Sequence, residues 1–178
     1  MWDEARSERK ERVMTYRTVI YHAATKAQRL RFERACVRCL NRWAAVLDIE
    51  SWDLDFIPLY GKKAQKYNAD GGGKDPDWEG FYVTVSSDYR RARVRSVVPN
   101  PSDWHMGEEE LDRLSLHELI HVVLSPLREE CIMPWVGEND DRRGEFRYLD
   151  EHITSQLVQS IYRVAGPTRT SSRQRKRG

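Results

Sequence analysis

The apolar residues of this chain change their spacing twice, and that change limits what the chain can fold into. From Lys26 to Leu47, the residues Leu30, Val37, Leu40, Ala44 and Leu47 recur at helical spacing, and Phe32, Cys36, Cys39 and Trp43 widen the apolar face. From Trp52 the period falls to two. Trp52, Leu54 and Phe56 alternate with Asp53 and Asp55; Phe81, Val83 and Val85 alternate with Tyr82 and Thr84; Ala92, Val94 and Val98 alternate with Arg91, Arg93 and Arg95. After Gly107 helical spacing returns, first over about Glu108 to Leu124 and then over about Glu145 to Ala165, where Leu149, Ile153, Leu157, Ile161 and Val164 form one stripe. The order predicts an α+β fold: an N-terminal helix, a small mixed sheet, a central helix and a C-terminal helix.

Local chemistry sets the boundaries. Glu108, Glu109 and Glu110 fill the first turn of the central helix, where the helix dipole favours negative charge. Ser125-Pro126 should end it, because proline disfavours a helical residue before it. Gly166-Pro167 should end the last helix. Tyr67 to Asp77, with Gly71-Gly72-Gly73 and Pro76, reads as a loop, and it lacks the Lys-Ser/Thr ending of a phosphate-binding loop. A second loop is expected around Pro134 and Gly137. Val13 to Ala24 mixes strand-favouring residues with a charged approach, and a helix is the favoured reading there. The basic face of Tyr89 to Val98 suits an edge strand.

At 178 residues the chain is long enough for one cored domain, placed at 1–165. The tail, 166–178, carries Arg169, Arg173, Arg175, Lys176 and Arg177 and no acid; without it the formal charge of +2 becomes −3, from 25 basic and 28 acidic residues. Such a tail is expected to be disordered, with weak nucleic-acid contact as its possible use. No apolar run approaches the roughly 18 residues of a membrane span. Met1 to Arg12 is too charged for a secretory leader, so a cytoplasmic protein is expected. An odd cysteine count, Cys36, Cys39 and Cys131, fits a reducing compartment. Cys36 and Cys39 have zinc-ligand spacing but no second pair, and two buried helix cysteines are expected.

The chemistry is concentrated in Leu116-His117-Glu118-Leu119-Ile120-His121-Val122. Histidines at i and i+4 project from one helical face a turn apart, where both imidazoles can hold one tetrahedral zinc ion. Glu118 is rotated about 100° from His117. It can reach a zinc-bound water without ligating the metal and act as general base. With five histidines and fifteen glutamates in the chain, chance produces this pattern in about one shuffled chain in a hundred.

A catalytic zinc wants a third protein ligand. The extended motif is absent, since positions 124 and 127 hold Leu124 and Leu127. The last helix offers Glu145, Asp150, Glu151 and His152. Glu151 is the favoured candidate, because Thr154 and Ser155 beside it permit close approach of another helix; Asp150 or Glu145 is then free to orient a ligating histidine.

On the motif, the preceding small sheet and the following helix with Glu151 thirty residues after His121, the chain resembles the zincin metallopeptidases, and most of all the minimal gluzincins of small prokaryotic and phage proteins. The resemblance covers roughly Trp52 to Ala165 and implies a Glu third ligand, matching Glu151. It also implies that an edge strand beside the active-site helix, here Tyr89 to Val98, binds a peptide substrate by strand addition. A Tyr or His that helps hold the oxyanion is implied too, with Tyr148, His152 and Tyr162 as candidates. The acid that often follows the Glu ligand by four positions is absent, as Ser155 stands there. The chain is more distantly similar to SprT-like and Spartan-like proteases, which usually take a histidine as third ligand and would point to His152. The expected function is zinc-dependent peptide hydrolysis. The alternative is a non-catalytic zincin-fold module that binds a protein or nucleic acid.

Overall fold

The computed structural model describes residues 19–71, 75–136 and 140–166. The chain opens with a short strand, β1 (Ile20–His22), and Thr25 then starts the first helix, α1 (Lys26–Val46). Thr25 Oγ1 accepts the Gln28 N–H at 3.2 Å, and the Gln28 side chain accepts the Thr25 N–H at 2.9 Å, a reciprocal cap that fixes this boundary. Residues 20–22, where a helix was expected, pair antiparallel with β5 (His105–Gly107); Val13 to Arg17 and Thr18 lie outside the described residues. The β-branched and aromatic content at Val19, Ile20 and Tyr21 prevailed there, and Tyr21 is buried in the core.

A three-stranded sheet follows, built from β2 (Asp53–Tyr60), β3 (Gly80–Ser86) and β4 (Arg91–Val98), in the order β2–β4–β3. β2 runs parallel to β4 and β3 antiparallel to it. Between β2 and β3 the chain forms α2 (Lys62–Asp70), so the expected loop begins later than Tyr67. Asn68 is fully buried and donates to the carbonyls of Pro76 and Trp78, tying the loop back to this helix.

β4 is therefore the central strand, and the expectation of an edge strand over Tyr89 to Val98, with peptide added along it, is corrected. Its inward and outward faces do alternate as expected, with Ala92 and Val94 buried. The outward arginines are answered by acids of the neighbouring strand: Arg91 meets Asp53 at 3.2 Å and Asp55 at 2.9 Å, and Arg93 meets Asp55 at 3.5 Å. Arg95 bonds Thr84 and lies over the Tyr67 ring. The basic face thus marks a strand with an acidic neighbour.

Register identifies the two free edges among the described residues. Asp53 N–H donates to Arg90 O and Gly61 N–H to Val98 O, so the odd residues of β2 face β4 and the even ones face outward. Pro58 falls on an outward position, where its missing N–H obstructs pairing with a further strand. In β3 the same parity leaves the backbone groups of Phe81, Val83 and Val85 on the outer edge.

α3 (Glu108–Leu127) lies against β3 and across α1. It continues through Pro126, beyond the expected stop, and opens into a π turn over Arg128–Ile132. Arg128 donates its N–H to both Leu124 and Ser125 carbonyls, which keeps the end of α3 bonded past the proline, and the widening follows, where Met133 N–H reaches back to Arg128 O. A one-turn helix, α4 (Met133–Val136), occupies part of the second expected loop, and α5 (Asp140–Ala165) follows. α5 packs on α3 with a face different from the expected stripe. Leu157 and Ile161 do pack, but Leu149 is 53%, Ile153 50% and Val164 89% exposed, whereas Asp150, Thr154 and Val158 are buried. The buried line is rotated by about one residue, or 100°, from the apolar one. Polar contacts of Asp150 with α3, and the small side chain of Thr154, set the rotation of this helix in place of its apolar content.

The core gathers Phe32, Trp43 and Cys36 of α1, Val94 and Val98 of β4, and Leu111, Leu116 and Leu119 of α3. Cys36 is buried and Cys39 half-buried, as expected for helix cysteines, and burial pushes the Cys39 thiol up to about 12. Gly166 ends the described chain; the remaining tail and Met1 to Arg12 lie outside it. Among the described residues no helix is long and apolar enough to cross a membrane.

Candidate metal centre

α3 is anchored at both ends before it presents any chemistry. Near its start the Glu110 carboxylate accepts the Gly107 N–H at 3.4 Å. One turn on, buried Asp112 accepts from Arg42 at 2.6 Å and from the Trp43 indole at 3.0 Å. Towards its end Ser125 Oγ lies 2.8 Å from Ser87 Oγ at the end of β3. Leu116, Leu119, Ile120 and Val122 are buried, which leaves the helix little freedom to rotate.

Held this way, α3 places His117 and His121 with their rings 4.9 Å apart at 77° and their Nε2 atoms 3.2 Å apart. α5 brings Glu151 against both: Oε2 is 3.2 Å from His117 Nε2, and Oε1 is 3.4 Å from His121 Nε2. A tetrahedral ion with bonds of about 2.0–2.1 Å separates its donors by about 3.3 Å. The spacing of the two Nε2 atoms matches that edge; the carboxylate meets the two rings through different oxygens, and one ligand atom from each of the three residues lies within 4.8 Å of the others. Two imidazole nitrogens and two carboxylate oxygens converge here, and each offers a lone pair when the rings carry their protons on Nδ1. A cation serves them all. His117, His121 and Glu151 therefore form a group that can hold a metal ion.

The electrostatics agree with this. Burial holds the His121 imidazole below its ordinary value, against the opposing pull of the Glu151 carboxylate. A neutral ring keeps a lone pair for an ion. Glu151 is 61% exposed, so the donor set opens on one side to solvent. Glu118, between the histidines in sequence, is buried at 6% exposure.

Of the competing candidates, Asp150 lies behind the cluster: its Oδ2 is 3.4 Å from His121 Nδ1, the ring nitrogen facing away from the other donors. His152 and Glu145 are exposed and outside the donor group; His152 stacks on Tyr148, with ring centres 6.4 Å apart. Tyr162 packs on Trp43 and under Arg113, nearer the start of α3. Sequence reasoning missed Arg128, which reaches Asp150 at 3.3 Å. Nothing in the spacing of 128 and 150 signals that contact, because it depends on the π turn and on the rotation of α5.

No family model, curated protein or solved structure matches the chain.

Proposed function

We propose that the protein is a zinc-dependent peptidase of the zincin type, most like the minimal gluzincins, with His117, His121 and Glu151 as metal ligands and Glu118 as general base. The observation that carries the reading is the convergence of His117, His121 and Glu151, with one ligand atom of each within 4.8 Å of the others, on an H-E-x-x-H helix. Two imidazoles, one carboxylate and an open side favour zinc over calcium or magnesium, which prefer all-oxygen sites. Zinc bound there lowers the pKa of its water to about 7 and polarises a carbonyl. Glu118 accepts the proton of the attacking water on its carboxylate and delivers it to the leaving amine nitrogen. Its burial keeps bulk water from competing for that proton.

The substrate strand moves from 89–98 to β3. Phe81, Val83 and Val85 offer outward backbone groups beside α3, and an extended peptide can pair with them as an added strand. One observation favours the second reading, a metal-stabilised binding module: Tyr162 is committed to Trp43 and Arg113, and Tyr148 is 72% exposed, so no candidate oxyanion donor is packed against the donor group.

The test is Glu118→Gln, assayed on an unstructured protein substrate with zinc measured in parallel. The variant should keep its zinc and lose about 10²–10⁴-fold in kcat. Undiminished turnover would remove Glu118 from the chemistry. Absence of cleavage by the zinc-loaded wild type over a broad peptide library would favour the binding module.

A further inference from the structure

Behind the donor triangle a second line of contacts runs away from the metal position. His121 Nδ1 is buried, and its nearest acceptor, Asp150 Oδ2, is 3.4 Å away without the alignment of a full hydrogen bond. Asp150 is itself buried, with a side chain only 9% exposed, and the same oxygen, Oδ2, is met by Arg128 Nη1 at 3.3 Å. The guanidinium is one-third exposed and lies over the Phe146 ring at 5.9 Å, so its planar head is braced between an aromatic face and the carboxylate. Arg128 is the first residue of the π turn that follows Pro126.

We propose that Arg128 is a positioning residue for the metal centre, holding the Asp150 carboxylate against His121 Nδ1 so that the ring carries its proton there and presents a free Nε2 to the ion. The inference rests on the metal reading above. A ligating imidazole needs one nitrogen free, and which one is free is set by the bond the other makes. Nε2 of His121 faces His117 and Glu151, so Nδ1 must carry the proton. The only carboxylate within ion-pair distance of Nδ1 among the described residues is Asp150. A buried carboxylate without a cation is costly and turns towards water when it can. Arg128 removes that incentive, and its Nη1 contact to Oδ2, the oxygen that also faces His121 Nδ1, holds the carboxylate in that direction. The polar line also accounts for the unexpected rotation of α5, because Asp150 and Glu151 can meet α3 together only if the Asp150 side of the helix is buried.

The experiment uses the full chain with Arg128→Ala, Arg128→Lys and Asp150→Asn. Zinc affinity is measured by chelator competition, and the His121 tautomer by nitrogen-15 NMR of the metal-free protein. Asp150→Asn should weaken zinc binding about 10–100-fold. Arg128→Ala should weaken it by roughly 10-fold, near the low end of that range, and shift part of the His121 population to the Nε2–H tautomer. Arg128→Lys, which keeps the charge, should recover most of both signals and stands in for Arg128→Ala if that variant folds poorly. Unchanged affinity and unchanged tautomer in folded Arg128→Ala would overturn the proposal. A wild-type chain that binds no zinc would overturn the metal reading instead, and the tautomer shift, which needs no metal, would still report whether Arg128 sets the ring.

Discussion

Two polar clusters sit on the same helix little more than a turn apart, and they are built in opposite ways. At Asp112 a buried carboxylate is met by protein donors, the Arg42 guanidinium at 2.6 Å and the Trp43 indole at 3.0 Å. At His117, His121 and Glu151 two imidazole nitrogens and a carboxylate converge, and no Lys or Arg pairs with Glu151 among the ion pairs of the described residues. The first cluster meets its carboxylate with cationic and N–H donors from the protein and buries it; the second opens to solvent through Glu151 and could hold a metal ion. Burial together with donors from the protein thus distinguishes a structural polar cluster from one that could take an ion.

The sharpest attempt to break this contrast is removal of both histidines. His117→Ala with His121→Ala should abolish bound zinc, measured by elemental analysis of purified protein, because Glu151 alone is a single exposed carboxylate. Undiminished zinc in the double variant would place the metal elsewhere. Next in size is the closed cluster. Asp112→Ala should destabilise the fold by roughly 3–5 kcal/mol, since it leaves the Arg42 charge without its buried partner, while the indole N–H keeps the Asp112 backbone carbonyl at 3.1 Å. Denaturant unfolding measures this, and the folded fraction should still bind one zinc. Zinc loss in folded Asp112→Ala would mean that the two clusters are not separable.

The identity of the third ligand sharpens the comparison further. Glu151→Ala should weaken zinc binding by about 100-fold or more, beyond what loss of an outer hydrogen-bonding partner usually costs. His152→Ala should leave it unchanged, because His152 stacks on Tyr148 outside the donor group. The reverse order would move the site to a three-histidine arrangement.

These residues also mark what the sequence could and could not disclose. His117, Glu118 and His121 were legible because their geometry is local: four residues of helix fix it. Glu151 was legible as one candidate among four, and only packing places it against the histidines while sending His152 to the surface. The helical and alternating periods located α1, α3, α5 and the three sheet strands, since burial on one face imposes those periods. Strand order was not legible in Arg91, Arg93 and Arg95 alone. A basic face is compatible with an edge or with an acidic neighbour, and the matching acids at Asp53 and Asp55 are far off in sequence. The rotation of α5 escaped for the same reason: the apolar stripe through Leu149 and Ile153 gave way to Asp150, whose partners Arg128 and His121 lie on other elements.

The smallest predicted effect comes from a third charged cluster, which tests whether pairing or burial gives the first two their weight. Asp55 meets Arg91 at 2.9 Å and Arg93 at 3.5 Å, so by contact count alone it resembles Asp112. Its side chain is 40% exposed, however, against 2% for that of Asp112. Water already solvates Asp55 and both arginines, so little is left for the pairs to contribute, and salt screens what remains. Asp55→Asn should change unfolding free energy by no more than about 1 kcal/mol, and the change should shrink as ionic strength rises. A loss as large as that of Asp112→Ala would mean that cross-strand charge pairing, and not burial, holds β2 to β4. It would also show that number of ionic partners is a better guide to energetic weight than exposure. A small, salt-sensitive loss keeps exposure as the deciding quantity. On that basis the buried Asp112 is structural, while the half-open triangle at Glu151 is left free to bind.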